Sequence, residues 1–292
     1  MTDAPQLCLG TVQFGLSYGI TNQRGQVPET QVRQILDLAS KSGINLLDTA
    51  QAYGTSEEVL GRCWPADVPR RLISKLPADA PSNVWEDCLI TSLRRLKATK
   101  LDSFLLHRAS DLLAPNGHEL LHWLESLRER GLVERIGISI YDAFELEGLP
   151  LDRLQLVQLP LSIYDQRLIL DGTVDKLNDQ GIAVHARSVF LQGLLLQPHS
   201  CWPAHLSQGF RSHHCQWLEY LGEQDLTQLA CALGFVRALR GLEAILVGVL
   251  SVQELAEILQ AWTQALSVSS LPFSNWPWHN PSDLDPRCWP PR

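Results

Sequence analysis

Several signals that would settle a protein's class at once are missing from these 292 residues. No apolar run approaches the roughly 20 residues that a membrane-spanning helix requires. The opening stretch, MTDAPQLCLG, has neither the basic start nor the long apolar core of a secretory leader. Basic residues are few: 24 Lys and Arg stand against 32 Asp and Glu, a formal net charge of -8, with no concentrated basic face for a phosphate backbone. Membrane and nucleic acid are therefore not expected as partners, and a small molecule is. The seven cysteines form no CxxC pair and no regular framework, and an odd number of scattered thiols fits a reducing cytoplasm. Neither a GxGxxG turn nor a GxxxxGK[ST] loop occurs, so the phosphate cradles of doubly wound nucleotide folds are lacking. No repeat or low-complexity linker divides the chain, and residues 1–292 read as one domain with no sign of an oligomeric state.

What is present is an alternation. Strand-like runs cover 7–14, 44–49, 71–76, 101–107, 134–140, 154–161, 182–189 and 244–249. Most are nearly continuous apolar stretches, the pattern of parallel strands covered on both faces. Helix candidates lie between and after them at 29–42, 55–63, 82–98, 117–131, 142–148, 171–180, 223–238 and 251–263. Gly43, Gly131 and Gly181 sit where helices need a left-handed cap, and Ser251 with Glu254 forms a capping box. Eight such units over about 250 residues predict a (β/α)₈ TIM barrel, interrupted by a long loop at 196–222 and followed by a Trp- and Pro-rich tail at 272–292.

In a barrel, the C-terminal strand ends converge on one mouth. Four of these positions carry proton-active groups: Asp48 ends the second strand, Tyr53 follows in its loop, Lys75 ends the third and His107 the fourth. A carboxylate at a covered position needs a partner, and Lys75 on the next strand is the expected one. An ammonium near a tyrosine favours phenolate and lowers its pKa from about 10, which suits Tyr53 to act as general acid toward a carbonyl oxygen, with His107 orienting it. The plainer alternative is a structural salt bridge beside unrelated residues.

The segments LDTAQAYGTSEEVLG, ISKL, LLHR and GLVERIGIS resemble the aldo-keto reductase superfamily, with the likeness running from Gly10 to about Ile258. The resemblance implies an NADPH-dependent oxidoreductase that reduces an aldehyde or ketone, a sugar among them, by hydride transfer, with Asp48, Tyr53, Lys75 and His107 catalytic and Tyr53 the proton donor. It implies that Ser139 and Gln158 hold the nicotinamide carboxamide, although Ile140 stands where Asn often follows that Ser. Arg187 occupies the place of an aromatic ring that stacks on nicotinamide in many members, with Ser188 beside it. Phe190, Gln192, Gly193 and Leu194 would follow the pyrophosphate. Gly248, Ser251, Gln253, Glu254 and Glu257 would hold the adenosine end, where a helix start offers N–H groups to phosphate. The usual basic partner of the 2'-phosphate is missing there and Ile258 replaces a frequent Asn, which leaves NADH open. The same resemblance admits a non-catalytic, nicotinamide-binding regulatory protein on this barrel.

Two further patterns carry less. HELLH at 118–122 matches the HExxH zinc pattern, but Leu120, Leu121, Leu124 and Leu127 define the apolar stripe and put both histidines on the polar side. The loop residues His199, Cys201, His205, His213, His214 and Cys215 match no standard zinc spacing, so no metal is expected. Phe14, Tyr18, Trp85, Trp276 and Trp278 are candidate pocket walls, one or two of them at most.

Overall fold

Eight parallel strands close on themselves in chain order in the computed structural model, which describes residues 4–265, 267–268 and 271–290. They are β1 (Gln6–Gly10), β2 (Leu46–Asp48), β3 (Arg71–Leu76), β4 (Leu101–Leu106), β5 (Val133–Ser139), β6 (Leu156–Pro160), β7 (Ala183–Arg187) and β8 (Ala244–Gly248). The (β/α)₈ barrel is thus borne out. The ends of the expected domain, residues 1–3 and 291–292, lie outside the described residues.

Strand side chains alternate between faces, so every second residue points into the barrel. Cys8, Leu46, Ile73, Leu105, Leu156, Ala244 and Leu246 form a dry cluster of their own inside it. The opposite strand faces join the larger core under the helices. At the closed end of the barrel, below this plug, charged groups pair with one another. Arg71 and Arg135 each hold Asp102 at 2.7 Å, and Arg135 also reaches Glu243, which His185 meets at 2.9 Å. Two residues above it, the inward positions are Gly10, Asp48, Lys75, His107, Ser139, Gln158, Arg187 and Gly248, one from each strand or its immediate end. The mouth is therefore the polar top layer of a period-2 pattern whose middle layer is apolar except at buried His185.

Four elements differ from expectation. The first strand stops at Gly10, and Val12–Gly15 turns into one helical turn. The segment expected as a helix at 142–148 is only a 3₁₀ turn, Ala143–Leu146, because Gly148 and Pro150 follow too closely for a second turn. The helix expected at 223–238 begins at Gln228, with the Thr227 hydroxyl accepting from the Ala230 N–H at 3.2 Å. The loop expected at 196–222 is largely helix, Gln208–Glu223, capped by Ser207. The positive φ expected at Gly43, Gly131 and Gly181 is present, at 79°, 70° and 73°.

That extra helix and the tail fold against each other. Phe210 stacks on Trp278, Trp217 packs edge-on against Trp276, and buried Asp283 accepts from the Ser207 N–H and hydroxyl and from the Trp278 indole N–H. Two of the loop histidines are spent in this packing: His214 bonds Tyr164 and the Gln197 carbonyl, and His213 meets the Trp276 carbonyl. Among the described residues no three His, Cys, Asp or Glu side chains converge as a metal site. His118 and His122 lie exposed on the helix Gly117–Glu129.

Candidate active site

The Asp48 carboxylate is 3% exposed and the Lys75 side chain beneath the mouth is 1% exposed. Lys75 Nζ donates to both Asp48 oxygens at 2.7 Å and to the Thr49 carbonyl at 3.0 Å. Those bonds use all three ammonium protons. Asp48 Oδ2 also accepts from Gln158 Nε2 at 2.8 Å. Because a carboxylate only accepts, this contact fixes the Gln158 amide and leaves its Oε1 facing the cavity without a protein donor.

Tyr53 is brought over this pair by close backbone approach. A Cβ on Gly15 would lie 1.8 Å from the Tyr53 carbonyl oxygen, and one on Gly54 would lie 2.4 Å from the Gly15 carbonyl oxygen. The helical turn after β1 and the loop after β2 therefore touch without side chains between them. Thr11 locks the contact, its hydroxyl bonding the Asp48 carbonyl and lying 2.8 Å from that of Ser56. The Tyr53 ring then stands 5.3 Å from Lys75 Nζ and edge-on to His107 at 5.8 Å.

The expected lowering of the Tyr53 pKa by Lys75 is not what this geometry produces. The ammonium is consumed by Asp48 and Thr49. Burial and the Asp48 charge hold the phenol well above its ordinary value, and Arg187 is the cation that opposes them. His107 is held down to about 4, by burial first and then by the Lys75 charge. At neutral pH both groups are uncharged, so the phenol keeps its proton.

These residues border a cavity of about 730 Å³ at the mouth. Ser139, Gln158, Arg187, Ser188, Phe190, Gln192, Gly193, Gly248 and Glu254 line it with Asp48, Tyr53 and His107. A second cavity, of about 750 Å³, continues from it past Phe190, Gly248 and Glu254 to Ser251, Gln253 and Glu257. All the expected site residues thus border one groove except two: Lys75 lies beneath it, and Leu194 is fully buried in the core, its carbonyl accepting from the Trp202 indole N–H. Leu194 points inward because the chain turns at Gln192 and Gly193, with φ of 53° and 92°, just before it. Ser251 caps the helix Val252–Gln264 at the groove's far end, and the Glu254 carboxylate accepts from the Leu250 N–H.

The loop after β1 supplies what sequence reasoning missed. Its Gln192 contacts, Ile20 N–H to Oε1 and Thr21 hydroxyl to the carbonyl, both at 3.1 Å, strap it to the loop after β7. The strap delivers Arg24 to the far cavity, 3.7 Å from Glu254, so a basic side chain from outside the segment after β8 borders that end of the groove. Gln13 borders the mouth with a buried Oε1 that has no donor, against Gly248, where a Cβ would lie 2.6 Å from Gln13 Nε2. Only distance in sequence hid these residues. Of the five candidate aromatic walls, Tyr18 borders the cavity; Phe14 is fully buried, Trp85 packs on Trp123, and Trp276 and Trp278 belong to the tail.

A long groove on a parallel barrel, with a tyrosine over a buried Asp–Lys pair at one end and a capped helix at the other, is the arrangement expected of a barrel oxidoreductase. The model of the Aldo/keto reductase family matches residues 6–272, and the chain belongs to that family, hence to the NAD(P)H-dependent oxidoreductases. It is 25% identical over 281 residues to an uncharacterized oxidoreductase of Bacillus subtilis, covering 87% of this chain and 89% of that one. It is 29% identical over 199 residues to the chloroplastic pyridoxal reductase of Arabidopsis thaliana, covering 59% of this chain. The match spans about half that relative's length, 53%. Among solved structures, the holo form of an aldo-keto reductase from Bacillus halodurans superposes with a TM-score of 0.73 over 92% of this chain and 93% of that one, at 20% identity. No helix among the described residues is long and apolar enough to cross a membrane.

Proposed function

We propose that the chain is a single-domain carbonyl reductase that binds NADPH along this groove and converts an aldehyde or ketone to the alcohol. The observation that carries the reading is the placement of Tyr53 and His107, above the sealed Asp48–Lys75 pair, at the end of a groove long enough for a dinucleotide. The residues fit the cofactor. Gln13 Oε1 is a buried acceptor waiting for a donor, Gln158 Oε1 is open on the same floor, and the bare backbone at Gly248 leaves room between the two cavities. Bound there, the nicotinamide supplies the hydride for the carbonyl carbon.

The protein's share is positioning and a proton. Tyr53 hydrogen-bonds the carbonyl oxygen and passes it the phenol proton, and His107 donates or accepts beside it to orient the substrate. Lys75 and Asp48 fix the charge pattern beneath. Ser139 and Gln158 take the carboxamide, Phe190, Gln192 and Gly193 line the pyrophosphate path, and Ser251, Gln253, Glu254 and Glu257 surround the adenosine. Arg24 supplies the cation that favours a 2'-phosphate. Seven free cysteines accord with a reducing cytoplasm. Pyridoxal reductase and a 6-dehydroglucose reductase of Novosphingobium aromaticivorans among the relatives make a sugar or a small ring aldehyde the substrate class to try first.

Fluorescence titration with NADPH and NADH, followed by turnover on a panel of such carbonyls, tests the reading. Tighter binding of NADPH and turnover of at least one carbonyl are expected. Absence of binding by either cofactor would overturn it.

A further inference from the structure

Charges at the catalytic end of the groove do not cancel. Asp48 and Lys75 neutralise one another in a bidentate pair, and burial keeps Tyr53 and His107 uncharged at neutral pH. Arg187 remains. It ends β7 in the top inward layer and borders the mouth cavity with Tyr53, His107, Ser139 and Gln158. Its hydrogen bonds go to neutral oxygens, the Ile140 carbonyl at 2.8 Å and the Ser188 hydroxyl at 3.3 Å. Among the described residues it has no carboxylate within ion-pair distance.

Nor can the charge swing away. The guanidinium sits over the Tyr141 ring, 3.9 Å from its centroid, and Arg287 of the tail sits over the same ring at 4.0 Å. Arg287 differs in having its own counter-ions, Asp285 and Glu145. Among the described residues the mouth thus carries a held, uncompensated positive charge at Arg187, on a half-buried side chain.

From this we propose that Arg187 makes the site discriminate between the two redox forms of its cofactor, binding NADPH, whose ring is neutral, more tightly than NADP⁺, whose ring is cationic. The inference rests on the proposed function, because it requires the nicotinamide to lie among the residues that border the mouth. Two like unit charges within about 6 Å in a partly buried site repel enough to change an equilibrium constant by about tenfold to a hundredfold. The consequence lies in the binding steps: the reduced cofactor is held and the oxidised one leaves more readily, while the overall equilibrium of the reaction is unchanged. Arg187 is in this sense a specificity-determining residue for redox state.

The test is the ratio of dissociation constants for NADP⁺ and NADPH, measured by calorimetric titration of the whole protein. In Arg187→Gln the ratio is expected to fall about tenfold, and Arg187→Lys should keep most of it. Because a misfolded fraction lowers both apparent stoichiometries alike, the ratio reads charge and not folding. As a measurement that needs no variant, the wild-type ratio should narrow as salt is raised, through screening of the same repulsion. A ratio that is unchanged in Arg187→Gln, with both affinities falling together, would overturn the inference and make Arg187 a packing surface only. An unchanged ratio with weaker binding of carboxylate-bearing carbonyls would overturn it in favour of a substrate anchor. Failure of the wild type to bind either form is a different result, and it defeats the proposed function itself.

Discussion

Replacing Lys75 by Met tests the floor of the site, and its magnitude can be worked from the geometry. The ammonium is 1% exposed and makes three bonds, two to Asp48 and one to the Thr49 carbonyl. Met approximates its length but offers no proton. Asp48, 3% exposed, would keep only the Gln158 amide. Removing one member of a buried pair costs about 3–5 kcal/mol, because the other charge stays buried without compensation. Against a total stability of roughly 5–15 kcal/mol for a typical domain, that is a large fraction. Urea unfolding at pH 7, followed by circular dichroism, should show the midpoint fall with little change in slope. Adding Asp48→Asn should restore about 2 kcal/mol, since the orphaned charge is then gone. A loss under about 1 kcal/mol for Lys75→Met, or a double variant no more stable than the single, would refute the argument that this pair is sealed from water.

Two more outcomes follow from the same site. Turnover should be flat from about pH 5 to pH 9: His107 is neutral above about 4, and the Tyr53 phenol, held above its ordinary value, loses its proton only in strong alkali. A decline centred near pH 7 in single-turnover rates would contradict both assignments. Gly15→Ala would set a methyl 1.8 Å from the Tyr53 carbonyl oxygen, forcing apart the two loops that aim the tyrosine. Overpacking of this kind costs about 1–3 kcal/mol. Thermal unfolding should register that loss, and turnover should fall by more than the loss of folded protein explains; normal kinetics would show that the loop contact does not set Tyr53's position.

How much of this was readable in the chain depends on the distance over which each signal acts. The strands were legible because both faces are covered, so a segment such as AILVG reads as an unbroken apolar run. Their ends were legible because the polar top layer interrupts those runs at Asp48, Lys75 and His107. The loop after β1 was not, because nothing local in Thr21 or Arg24 announces a strap to Gln192 some 171 residues away. Leu194 was misplaced for a related reason: the left-handed turn at Gln192 rotates the next residues inward, and a non-glycine residue at positive φ leaves no mark in the sequence. The helix Gln208–Glu223 went unseen because its apolar face is built from Phe210, His214, Trp217 and Leu221, with a histidine standing for a hydrophobe. Its cover is the tail, so the two segments that looked idiosyncratic explain each other. The Tyr53 pKa rises where a fall is expected, because burial outweighs an ammonium whose charge Asp48 already cancels.

In the proposed function Tyr53 delivers the proton while the groove binds the nicotinamide cofactor independently of it. Tyr53→Phe removes one hydroxyl and keeps the ring against His107. Single-turnover reduction of an accepted carbonyl by the preloaded variant should fall by about 10²–10⁴-fold, with the NADPH dissociation constant within about twofold of wild type. An unchanged rate at full cofactor occupancy would contradict the account.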